Sequence, residues 1–182
     1  MRPSLLLLCA GLCASLLTGA SALYAGTALK ADIHDMKAAY IVNFIRFTDW
    51  SDADASQAIH LKVAGADQVG SVLQSIADQP VAKRIALHVE LCSNDACLRQ
   101  ASAIFIGQSS GDYRHLLAMF DQRPVLTMSD APGFARHGGM IEMRYENRKL
   151  TFIVNIQAVR RAGLYISAQL LQLGETIGGE HE

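Results

Sequence analysis

Cysteine and histidine have the widest chemical range in this 182-residue chain, and neither is arranged for catalysis. The histidines are His34, His60, His88, His115, His137 and His181. No two stand at the i, i+4 spacing by which one helix face holds a metal. The sequence contains no G-x-S-x-G nucleophile elbow and no P-loop. Gly133, Gly138 and Gly139 do not fall in the G-x-G-x-x-G order of a dinucleotide turn. Each histidine therefore reads as a surface or strand-edge residue rather than a ligand or base. The expectation is no catalytic residue, no metal site, no cofactor and no enzymatic activity.

The cysteines depend on the N-terminus for their meaning. Arg2 gives a short positive start, Leu5 to Leu17 is uncharged and leucine-rich, and Thr18 to Ala22 turns small and polar. Ala20 and Ala22 occupy the −3 and −1 positions of an A-x-A cleavage site. Residues 1–22 are expected to be a cleaved signal peptide, and residues 23–182 the mature domain. The alternative is an uncleaved anchor, but the apolar core falls short of the ~20 residues that span a bilayer. No second apolar segment of spanning length follows, so no stable membrane insertion is expected after cleavage. Cys92 and Cys97 then remain, in an oxidising compartment where so close a pair usually forms a disulfide. Its loop is short, so the entropic gain should lie below ~3 kcal/mol. Two free thiols or a metal pair are the alternatives that spacing alone leaves open.

One loop could touch a ligand or partner. Ser129 to Gly139 follows an apolar run directly, at the strand end where open α/β sheets place ligands. Ser129, Asp130, Phe134, Arg136, Gly138 and Gly139 are its candidate contact residues. Gly138 and Gly139 would let backbone approach a ligand or another strand. The competing reading is a turn-rich connection whose Ser129 or Asp130 caps local amides.

These residues need elements to position them. Met36, Tyr40, Phe44 and Phe47 share a helical face, predicting a helix over Ile33–Phe47. Ile59, Leu61 and Val63 alternate with polar residues, as do Ile85, Leu87, Val89 and Leu91, giving two half-buried strands. A short helix through Val69, Leu73 and Ile76 lies between them. Ala103–Gly107 and Pro124–Met128 read as strands buried on both faces, with a helix over Tyr113–Phe120 joining them. Met140–Tyr145 and Lys149–Val154 flank a turn at Glu146-Asn147-Arg148, hence a hairpin. Asn147 suits a left-handed position. Gly163 closes a short helix, and Ser167 caps a last one through Leu170, Leu171 and Leu173. The expected fold is α/β: one compact domain, a mostly parallel sheet with crossover helices, and a C-terminal β-hairpin followed by a helix.

Composition narrows the partners. The net charge is −1, with 51% hydrophobic and 18% charged residues, so the chain is globular and carries no footprint for nucleic acid.

The segment Lys37-Ala38-Ala39-Tyr40-Ile41-Val42-Asn43-Phe44-Ile45-Arg46-Phe47-Thr48-Asp49-Trp50 resembles the opening helix of the YfiR family, whose pattern there is roughly K-A-A-x-x-x-N-F-x-x-F-x-x-W. Pro124 to Asp130, running on to Gly138-Gly139-Met140-Ile141, is similar to the family's second block. Phe152 to Ile156, Arg160 to Leu164, Ile166-Ser167 and Leu170-Leu171 resemble its third. On this resemblance Asn43, Phe44, Arg46, Phe47, Trp50, Asn155 and Gly163 are motif residues with structural roles. The hairpin turn departs from the family's common Asp-Gly form. The best-known members are small periplasmic proteins without known catalysis, reported as dimers with intramolecular disulfides. They bind the periplasmic part of an inner-membrane diguanylate cyclase and hold it inactive, while many members sit beside sensor kinases. The resemblance therefore implies a periplasmic repressor in cyclic-di-GMP signalling, with a membrane cyclase or sensor kinase as partner and a homodimer as a further possibility. The alternative is a periplasmic small-solute-binding sensor domain working with a membrane receptor or transporter.

Overall fold

The computed structural model describes residues 21–50, 58–77 and 86–179, with side chains from Ile33 onward. The chain divides into two units, residues 1–33 and 34–182. The signal-peptide segment lies mostly outside the described residues, as does His181. Helix α1 spans Ser21–Arg46, starting well before the expected Ile33. From His34 on it belongs to the second unit, which carries every strand.

Strands β2 (Ile59–Ala64), β3 (Leu87–Cys92), β4 (Ala103–Ile106) and β5 (Leu126–Ser129) lie parallel. The intervening helices are α2 (Asp67–Ala77), α3 (Asp95–Leu98) and α4 (Tyr113–Met119). Parallel neighbours need crossovers, and these helices supply them. β6 (Ile141–Glu146) adds parallel to β5, and β7 (Lys149–Asn155) turns back antiparallel to it. The sheet order is β3-β2-β4-β5-β6-β7, followed by β9 (Glu175–Ile177).

Every residue of β4 and β5 is buried, because helices cover both faces of the sheet. One core layer joins Leu61, Val63, Phe105 and Met128 to α1 and α2. The other joins Ile104 and Ile106 to Leu98, Leu116 and Phe120. α1 seats Ala38, Ile41, Phe44 and Ile45 on the sheet, with Met36, Tyr40 and Phe47 flanking this seam. The buried stripe is thus rotated from the expected Met36–Tyr40–Phe44–Phe47 line. Phe44 meets Phe152 of β7 edge-on at 5.0 Å between ring centroids, and such a pair adds to area burial.

Three short strands do not show as sequence patterns. β1 (Thr48–Trp50) pairs antiparallel with β8 (Leu164–Ile166) in a separate two-stranded ribbon. β9 (Glu175–Ile177) rejoins the main sheet parallel to β7. Three residues are too few for a period-2 signal. Between these strands, α5 spans Ile156–Arg161 and α6 only Ala168–Leu171. Leu173, expected in the last helix, lies beyond it and is 76% exposed. Ser167 does cap α6, its side chain accepting from the Leu170 amide.

The hairpin turn carries Asn147 at φ 51° and Arg148 at φ 63°. Both central residues are left-handed, as a type I′ turn requires. Asn tolerates this, whereas Arg is strained there by about 1–2 kcal/mol. Arg148→Gly should remove that strain at a smaller entropic cost. It should therefore raise the unfolding free energy by roughly 0.5–1 kcal/mol in urea denaturation. A lowered midpoint would refute the strain.

Candidate functional site

The candidate loop between β5 and β6 is organised by one carboxylate. Glu142 of β6 is 1% exposed. Its Oε2 accepts from the Ala135 amide at 3.0 Å, and its Oε1 from the Gly133 amide at 3.2 Å and Arg144 Nε at 2.9 Å. Asn155 locks the same loop from β7: Nδ2 donates to the Ala135 carbonyl at 2.8 Å, while Oδ1 caps α5 by accepting from the Ala158 amide at 3.0 Å. Glu142 escaped the sequence reading, although a carboxylate inside Met140-Ile141-Glu142-Met143 was its signal. Buried charges of this kind need partners.

The loop residues divide accordingly. Ser129 is fully buried, donating to the Ile106 carbonyl at 2.6 Å and accepting from the Ala131 amide at 2.9 Å. Phe134 is buried in the core layer with Ile104 and Leu116. Gly139 lies beneath the Phe134 ring, where a Cβ would come within 2.1 Å of a ring carbon. The close approach expected of Gly138-Gly139 is thus to the chain's own aromatic ring. Gly138 supplies a positive φ of 101°. Burial therefore removes Ser129, Phe134 and Gly139 from any contact surface. Arg136 is exposed, and Asp130 and Gly138 are partly exposed.

Asp130 instead faces a cleft above the carboxyl ends of the strands. Its Oδ2 accepts from Lys37 Nζ of α1 at 2.5 Å, and its Oδ1 from the Gln108 amide at 2.7 Å. The cleft has a volume of about 510 Å³. His34 and Lys37 line it from α1, Asp67 and Gln68 from the start of α2, and Gln108 from the turn after β4. A second cleft, of about 660 Å³, lies over the ends of β2 and β3. Asp67, Asp95, Asp112 and His115 line it, with His115 Nε2 3.0 Å from Asp95 Oδ2.

Cys92 and Cys97 form a disulfide on the wall of this second cleft, with Cα atoms 5.5 Å apart. It clasps the β3–α3 turn, where Asn94 caps α3 by accepting from the Cys97 amide at 3.1 Å. Glu90 Oε1 lies 3.3 Å from Cys97 Sγ, and its other oxygen pairs with Lys62 of the adjacent strand. His137 bridges Arg114 Nη2 at 2.9 Å and the Tyr113 hydroxyl at 3.0 Å. His60 and His88, opposite each other on β2 and β3, stack at 5.3 Å.

The motif residues separate by role. Phe44 is core, Asn155 and Gly163 shape α5 and its exit, and Phe47 and Trp50 are half-buried against the core. Asn43 and Arg46 are exposed, so the motif also reaches the surface. A YfiR/HmsC-like family model matches residues 34–175. The chain belongs to the YfiR/HmsC-like family. The match begins where the sheet-bearing unit of this YfiR/HmsC-like protein begins. No curated protein matches the chain. Among the described residues, no helix is long and apolar enough to cross a membrane.

Glu142→Ala would strand two loop amides and leave the Arg144 guanidinium only its contact with Glu175, 3.7 Å away. It should lower stability by about 3 kcal/mol, measured by urea denaturation. Amide exchange in residues 131–139 should rise more than in β4. Unchanged stability and exchange would show that the carboxylate does not hold the loop.

Proposed function

We propose that this protein is an exported, non-catalytic periplasmic regulator. It binds the periplasmic part of an inner-membrane signalling enzyme of the diguanylate cyclase type and represses it, so modulating cyclic-di-GMP signalling. The observation that carries this reading is membership of the YfiR/HmsC-like family across residues 34–175. Repression by binding is a population shift, in which the regulator holds the inactive partner more tightly than the active one. A ~100-fold preference amounts to ~2.7 kcal/mol, within reach of a modest interface.

The contact surface we assign centres on Tyr165, 63% exposed on β8 opposite Asp49 of β1. Exposed tyrosines anchor interfaces because they bury a large area with little loss of side-chain freedom. The exposed Arg136 of the β5–β6 loop is a second contact.

The test is affinity recovery from membranes of the native host, using the full chain processed there. Recovery of a membrane cyclase supports the reading, and a preparation without any membrane signalling protein overturns it. Tyr165→Ala should cut recovery at least tenfold with an unchanged melting temperature, and Arg136→Ala tests the loop in the same way. Undiminished recovery by either variant removes that residue from the interface.

Export by signal cleavage makes a separate prediction. N-terminal sequencing of the mature protein should start at Leu23, inside the first turn of α1. An intact N-terminus on protein recovered from the periplasm would rule cleavage out.

A further inference from the structure

We propose that the cleft bounded by α1 and the ends of β2, β4 and β5 is a binding site for a small, nonionic polyhydroxy solute of about monosaccharide size. This goes beyond the partner reading and does not depend on it.

Topology supplies the first argument. After β2 the chain places β3 on one side of that strand and β4 on the other. The carboxyl ends of β2 and β4 therefore diverge at a switch point, where open α/β sheets hold their ligands. The cleft sits there, lined by Gly65 and Ala66 from the first turn and by Gly107, Gln108 and Ser109 from the second. Its volume of about 510 Å³ falls within the small-molecule range.

The polar lining supplies the second. His34 lines the cleft with its ring, while its Nδ1 is sealed from solvent and lies out of a solute's reach. Lys37 gives one hydrogen bond to Asp130 and keeps further donors.

Charge selects the solute. Lys37 and Asp130 neutralise each other inside the cleft. Asp67 stands in the first turn of α2, against the positive end of the helix. An anion would thus enter without a free counter-charge, while Asp67, paired with no cation among the described residues, can accept from a hydroxyl. Hydroxyl groups both donate and accept, which suits a lining that mixes Asp67, Gln68, Gln108 and His34. No aromatic side chain other than His34 is among the lining residues, so no stacking platform favours a flat ring.

The test is NMR titration of the isotope-labelled protein with D-ribose, D-glucose and myo-inositol. Sodium acetate and putrescine serve as anionic and cationic probes. We expect saturable shifts from at least one polyol by about 10 mM, which is saturating for a millimolar Kd. They should concentrate at residues 34–37, 65–69, 107–109 and 130. His34→Ala, which removes a lining ring, should weaken binding severalfold. Gln68→Ala, an exposed helix position that leaves folding intact, should weaken it severalfold. No shift from any polyol, or shifts unaltered in both variants, overturns the proposal. Saturation of these residues by acetate or putrescine alone overturns the nonionic assignment.

Discussion

A single buried carboxylate governs how the two halves of the main sheet meet. Glu142 stands where the parallel part of the sheet passes into the β6–β7 hairpin, in register with Ser129 of β5. Its two oxygens receive two loop amides and one guanidinium. A carboxyl group with so little solvent is stable only while those donors converge on it. That requirement fixes the path of residues 131–139, and Asn155 fixes it again from β7. With the loop held, Phe134 drops into the core over Gly139, and Asp130 is left at the end of β5 facing Lys37.

The parallel strands impose the wider constraint. β4 and β5 are apolar on both sides and require helices on both faces. α1 and α2 cover one face, and α3 and α4 the other, in two separate core layers. The covering elements stop at the carboxyl ends of the strands, and both clefts described above open there. The disulfide between Cys92 and Cys97 borders one, and the Lys37–Asp130 pair spans the other. Structural reinforcement and open space therefore share the same rim of the sheet. The surface assigned to a protein partner centres on the β1–β8 ribbon that carries Tyr165, with Arg136 of the β5–β6 loop as its second contact.

Burial also changes what the motif residues mean. Phe44 and Asn155 act through packing and capping, as their residue types suggest. Asn43 and Arg46 share the same helix, yet both face solvent. Ser129, Phe134 and Gly139 look like loop residues by position and prove to be interior. A turn-rich segment is buried only when its backbone polar groups find partners. Those partners lie in β4, β6 and β7, between 7 and 23 residues away in the chain.

The α/β class, the order of the longer strands and helices, the hairpin with Asn147 in its turn and the family are legible in the sequence. These are written in local periods and in motif order, which neighbouring residues carry without help. Spacing of a few residues also marks the Cys92–Cys97 pair. The rest depends on contacts made between elements. The strands β1, β8 and β9 exist because a distant strand accepts their hydrogen bonds, and three residues alone carry no period. The rotation of α1 by part of a turn was set by Phe152 and the sheet beneath it. The role of Glu142 and the pairing of Lys37 with Asp130 each join groups from separate elements. Such contacts arise when the sheet closes, and no local pattern encodes them.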